Sequence, residues 1–177
     1  MLYYNLLNFL LDNLSLIMLH SIELNHTHDH ETCVHDALQN AKQICQERGG
    51  LLTDIRRQVL ELIWRNHHPV KAYDIIEKFK PSERTQGAAK PTTIYRALEF
   101  LLEKGLIHRV ESLNAFIGCS NPLHVHELVL LICKKCENVQ ERSAAGVMES
   151  IKTELEQAHF IAHSKIIEIH GLCDRCI

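Results

Sequence analysis

The feature that most constrains this chain is a pair of cysteine knuckles, Cys133-Lys-Lys-Cys136 and Cys173-Asp-Arg-Cys176, with 36 residues between them. Two CxxC pairs offer four thiolates, the donor set of tetrahedral zinc. The intervening segment must then fold back so that the second pair arrives beside the first. A redox role for either CxxC is the competing reading, but two pairs flanking one compact unit favour a closed, structural site. With four protein ligands no position is left for water, which argues against hydrolytic chemistry there. The chain has seven cysteines, an odd number for a disulfide framework, and its 13 histidines add to the supply of metal ligands.

At 177 residues, 46% hydrophobic and 23% charged, the chain has the composition of an ordinary globular protein with room for one domain or two small ones. The greasy opening from Met1 to Leu19 is interrupted by Asn5, Asn8, Asp12 and Asn13, so a membrane-spanning helix is not expected. The first basic residue is Lys42, too late for the cationic start of a signal peptide. The expected location is the cytoplasm, with no membrane partner. The formal net charge of −3 is unevenly spread: −5 over residues 1–37, +4 over 38–112 and −2 over 113–177. A basic middle between acidic flanks is compatible with DNA binding without establishing it.

The opening segment ends in a run bearing His26, His28, His30, Cys33 and His35. These are possible ligands of an auxiliary zinc site, although a solvated acidic tail is the simpler reading; residues 1–35 are placed outside the two modules that follow. From Asp36 the pattern predicts a helix, with Ala37, Leu38, Ala41, Ile44 and Cys45 recurring every three to four residues until Gly49-Gly50. Thr53 is the expected N-cap of a second helix to Trp64, with Arg56 and Arg57 on its wet side. A third helix is expected over Ala72–Phe79, then a surface loop over Pro81–Ala89.

A fourth helix starts at Pro91, with Thr92 and Thr93 as expected caps, and its stripe Ile94, Ala97, Leu98, Leu101 and Leu102 ends at Gly105. Its opposite face presents Thr92, Thr93, Tyr95 and Arg96, with Lys90 just before, groups suited to phosphates and base edges. Two strand-like runs follow, Leu106–Glu111 and Ala115–Cys119. Packed helices, a helix with a basic-aromatic outer face and a hairpin, in that order, describe a winged helix-turn-helix over residues 36–112. Taken alone, the fourth helix is better explained by ordinary packing than by recognition.

Residues 113–177 read as a small α/β module, with strands over Glu127–Ile132, Asn138–Arg142 and Ser164–Ile169 and a helix over Ala144–Gln157. A unit of about 60 residues buries little core, so it needs metal, a partner subunit or both. The whole is α+β. A second, scattered set of ligand types consists of His108 in the hairpin, Cys119 at its end, His126 and Glu141. Spacing does not define a site here, since each residue has an ordinary structural role open to it. If they met, they would draw ligands from both modules.

The chain resembles the ferric uptake regulator superfamily, and most closely its zinc-sensing branch. The resemblance is carried by Leu52-Thr-Asp-Ile-Arg56-Arg-Gln-Val-Leu60, Ala72-Tyr73-Asp74-Ile-Ile76, Lys90-Pro-Thr-Thr-Ile-Tyr95-Arg96-Ala-Leu98-Glu-Phe-Leu101, Gly105-Leu-Ile-His108-Arg-Val-Glu111-Ser and Ile169-His-Gly171-Leu-Cys173-Asp-Arg-Cys176. It runs from about residue 38 to the end. It implies structural zinc at Cys133, Cys136, Cys173 and Cys176 and sensed zinc at His108, Cys119, His126 and Glu141. Iron- and peroxide-sensing members carry a His-rich run before the first knuckle, where this chain has Leu128–Ile132. One thiolate, two imidazoles and a carboxylate also suit zinc better than ferrous iron. His124, His159, His163 and His170 are more simply structural. The loop from Pro81 and the extension before Asp36 depart from the family pattern.

The expectation is therefore a dimeric, non-enzymatic repressor of zinc-uptake genes with two Zn2+ per subunit. It would bind a double-stranded DNA operator and no small-molecule substrate. Tyr73, Lys90, Thr92, Thr93, Tyr95 and Arg96 are the expected DNA contacts. The rival readings are an iron- or peroxide-sensing regulator on the same scaffold and a cytosolic zinc carrier.

Overall fold

The computed structural model describes residues 30–66, 68–81, 90–123, 128–162 and 166–177. Expectations for His26, His28, His124, His126, His163 and most of the loop after Pro81 lie outside those residues. Five α-helices and six strands are described: α1 (His30–Glu47), α2 (Asp54–Trp64), β1 (Val70–Lys71), α3 (Ala72–Lys78), α4 (Pro91–Glu103), β2 (Ile107–Val110), β3 (Ala115–Gly118), β4 (Leu128–Cys133), β5 (Val139–Ser143), α5 (Ala145–Gln157) and β6 (Glu168–Gly171). The strands form two three-stranded sheets of order β1-β3-β2 and β5-β4-β6.

The first module is built on apolar stripes at helical spacing. Ile44 of α1, Val59, Leu60 and Ile63 of α2, Ile75 of α3, and Ile94, Leu98 and Leu101 of α4 are buried together with Leu106 and Ile107. Helix α1 starts at His30, upstream of the expected Asp36. Its stripe extends back through the half-buried Cys33 and Val34, so polar neighbours do not end it. Thr53 caps α2 as expected, accepting from the Arg56 N–H at 3.4 Å. Arg56 is not simply wet, because its guanidinium lies 3.4 Å from the centre of the Phe100 ring.

The cap of α4 is Lys90, not a threonine. Proline at the first helical position fixes its own φ and holds the preceding residue extended, which places Thr92 and Thr93 inside the first turn. Strands β2 and β3 form the expected hairpin. They are joined by a 3-10 turn at Glu111–Leu113 and by Asn114, which adopts φ 47°. Strand β1 completes the sheet by pairing Val70 with Phe116; two residues after Pro69 leave no pattern for sequence reasoning to find.

The second module explains the continuous apolar run of β4. Leu128, Leu130 and Ile132 join Val110, Leu113 and Ile117 of the first module in one cluster, while Val129 and Leu131 pack with Met148 and Ile151 of α5. A strand covered on both faces loses alternation. Strand β6 lies at Glu168–Gly171, later than the expected Ser164–Ile169. Its parallel pairing, Leu130 with Glu168 through Cys133 with Gly171, sets the register. The consequence is that Glu168 faces the first module, where it meets Glu111 and Ser112.

Candidate functional site

The parallel pairing of β4 and β6 brings the two knuckles together, as their spacing demands. One donor atom from each of Cys133, Cys136, Cys173 and Cys176 lies within 4.8 Å of the others. The Lys134 N–H donates to the Gly171 carbonyl at 2.9 Å, and the Cys173 N–H donates to Cys133 Sγ at 3.4 Å. The Cys136 and Cys173 sulfurs are 3.8 Å apart, far beyond the roughly 2.05 Å of a disulfide. Backbone N–H groups of Cys136, Cys173 and Lys135 bring the Cys133 thiol down to about 6. Burial and the neighbouring thiols push Cys176 up to about 12, so the four cannot all ionise unaided. Four converging sulfurs with amide donors fit a divalent cation, whose charge offsets the crowded thiolates.

The scattered set also converges. His108 on β2, Cys119 just after β3 and Glu141 on β5 place donor atoms within 4.8 Å of one another. His108 Nε2 is 3.5 Å from Glu141 Oε1, and the Cys119 thiol donates to the same oxygen at 3.9 Å. The second carboxylate oxygen accepts from the Ser120 N–H and hydroxyl, both at 3.0 Å, which fixes the carboxylate plane. Burial, followed by the negative charge of Glu141, pushes the Cys119 thiol up to about 12. A thiol held beside a carboxylate in a buried place is one that a cation would convert to thiolate, releasing a proton. Hence this donor set fits a soft-to-borderline cation such as zinc. The expected fourth ligand, His126, is outside the described residues.

This centre is also braced in ways the sequence reading missed. The side chain of Trp64 lies against Gly118, the residue before Cys119, so closely that an added Cβ would meet its ring at 2.2 Å. The Arg48 guanidinium donates to the Leu123 carbonyl at 3.0 Å, tying the segment after Cys119 to the end of α1. A tryptophan and a glycine far apart in sequence give no local signal of such contact.

The expected DNA contacts lie on the surface of the first module. Tyr73 on α3 is 78% exposed and Tyr95 on α4 is 43% exposed. Lys90, Thr92 and Arg96 are exposed and Thr93 is half-buried. Tyr95 and Arg96 stand opposite the buried stripe of Ile94, Ala97, Leu98 and Leu101. Outside these sets, Cys33 is half-buried and His35 exposed on α1, and neither joins a metal-binding group among the described residues. His159 and His170 likewise belong to none.

Residues 47–170 match the profile of the ferric uptake regulator family. The chain is 36% identical over 150 residues to the zinc uptake regulation protein of Escherichia coli (strain K12), covering 83% of this chain and 85% of that protein. It is 28% identical over 143 residues to the ferric uptake regulation protein of Legionella pneumophila, covering 78% and 99%. Its fold is similar to a zinc uptake regulator complexed with zinc and DNA, with TM-score 0.73, 35% identity, and coverage of 80% of this chain and 93% of that one. It is also similar to holo XcZur, with TM-score 0.70, 34% identity, and coverage of 79% and 96%.

Proposed function

The chain belongs to the ferric uptake regulator family, and from that premise we propose that it is a zinc-responsive transcriptional repressor of zinc-uptake genes. The observation that carries this is the meeting of His108, Cys119 and Glu141, which come from two modules and whose thiolate suits zinc better than iron. His126 completes the set, and Cys133, Cys136, Cys173 and Cys176 hold a second, structural zinc. A cation held by His108 of β2, Cys119 just after β3 and Glu141 of β5 favours the orientation in which those strands meet. If that orientation is the DNA-competent one, zinc acts as co-repressor by its differential affinity, and DNA tightens zinc in return.

The winged-helix reader, expected over residues 36–112, starts slightly earlier with α1 and takes in β3, which pairs with β1 and β2; in it Arg96, Tyr95, Lys90, Thr92 and Thr93 face the groove and Tyr73 a phosphate. The part of residues 113–177 that follows the hairpin acts as the dimerisation module. Phe160, Ile161, Ile166, Ile169 and Leu172 are all more than half exposed there, an apolar surface that a second copy covers. Two-fold pairing would then set two recognition helices on half-sites about one helical turn apart. Among the described residues no helix is long and apolar enough to cross a membrane. We place the protein in the cytoplasm, with no catalytic role.

The test is fluorescence anisotropy of a duplex carrying a zinc-transporter promoter, at fixed salt, against buffered zinc or ferrous iron. Specific binding with zinc and not iron is expected. Specific binding with iron alone, or none with either metal in a folded dimer, contradicts the reading.

A further inference from the structure

The joint between the modules has a second carboxylate. Leu130 on β4 pairs with Glu141 on β5 at one side and with Glu168 on β6 at the other, so the three residues form one row across the sheet. Strand β2 and the turn after it run along that row. His108 meets Glu141, Val110 joins the buried cluster of Leu130 and Ile132, and the turn meets Glu168. Glu168 accepts from the Glu111 N–H at 2.6 Å and from the Ser112 N–H at 3.1 Å. Its side chain is only 11% exposed, with His170 Nε2 at 3.9 Å. Burial pushes its carboxyl up, but the Ser112 hydroxyl, the two N–H groups and the charge of His170 outweigh burial and leave it below its ordinary value.

We propose that Glu168 is a metal-free fastening of the same interdomain joint and that it sets how much zinc the protein needs to reach its DNA-binding orientation. A carboxylate buried on a sheet face next to Leu130 and Ile132 is costly to keep ionised unless donors satisfy it. The donors here come from the other module, from the first two N–H groups of a 3-10 turn. They meet Glu168 only when β2 lies along the row. A contact present in one orientation and absent from others shifts the population by its own free energy, on the same equilibrium that zinc shifts. Removing Glu168 leaves more for zinc to supply. Glu168 is thus a positioning residue, acting on the zinc response from the far edge of the sheet. This rests on the repressor reading above.

The experiment uses the full chain with its structural zinc. Glu168→Gln keeps one acceptor oxygen but turns an amide N–H2 toward the second donor. Three readouts are taken: anisotropy of the zinc-transporter promoter duplex against free zinc, hydrogen exchange of the Glu111 and Ser112 amides without DNA, and thermal melting. The zinc midpoint for DNA binding is expected to rise about tenfold, with faster exchange at both amides and unchanged zinc stoichiometry. Ser112→Ala, which removes only the hydroxyl, is expected to shift the midpoint the same way by about two- to threefold. A folded Glu168→Gln protein with wild-type midpoint and wild-type exchange overturns the proposal. If that variant does not fold, an unmoved midpoint in Ser112→Ala overturns it. Absence of any zinc response in the wild type contradicts the repressor reading instead; the fastening is then decided by exchange alone, with equal rates in variant and wild type overturning it.

Discussion

The four-cysteine cluster and the His108, Cys119 and Glu141 cluster each hold their donor atoms within 4.8 Å of one another, yet the chain supplies them differently. Cys133 ends β4, Cys136 lies in the next turn, and Cys173 and Cys176 follow β6, so all four belong to one module and to strands already paired. His108 and Cys119 belong to the hairpin of the first module and Glu141 to the sheet of the second. The first arrangement couples metal to folding of a small unit; the second couples it to the relative placement of two units. Ligand chemistry is nearly shared, and topology decides what binding does.

Substitutions can break that comparison, and the largest effect belongs to the knuckles. Cys133→Ser should unfold the second module and abolish dimerisation, since a structural zinc contributes on the order of 10 kcal/mol to folding. Thermal melting and sedimentation check this, and wild-type behaviour in both would contradict it. Cys119→Ser should instead leave melting and dimerisation intact while removing zinc-induced DNA binding, read by anisotropy. If Cys119→Ser unfolds the protein instead, the two centres are not distinct in kind.

Smaller changes sharpen the picture. Gly118→Ala places a methyl 2.2 Å from the Trp64 ring beside Cys119. It should cost about 1–3 kcal/mol in chemical denaturation and raise the zinc midpoint, through geometry and not through loss of a ligand. Arg96→Ala lies at neither centre. It should weaken specific DNA binding by about 1–3 kcal/mol at fixed salt while zinc stoichiometry, measured by atomic emission, stays unchanged.

Much of this was legible in the residues because it is local. The stripes of α2, α4 and α5 are set by helical period, and the knuckles by their CxxC spacing. What escaped depends on partners distant in sequence. β6 is placed by its pairing with β4, whereas the sequence pattern alone points to an earlier strand over Ser164–Ile169. The inward residue is Glu168, whose reason for being there lies at Glu111 and Ser112. Thr92 and Thr93 are better capping types than lysine, yet Pro91 fixes the boundary of α4 and leaves the cap at Lys90. The meeting of His108, Cys119 and Glu141 was legible only through the family resemblance, since three strands from two sheets bring them together.

The most direct test of the account is reciprocity at the interdomain centre. Zinc affinity of the protein already holding its structural zinc would be measured by competition with a chelator, with and without the zinc-transporter promoter duplex. DNA is expected to tighten this one zinc by the same factor by which zinc tightens DNA. An affinity for zinc that DNA leaves unchanged, in a protein whose DNA binding responds to zinc, would violate the linkage and contradict it.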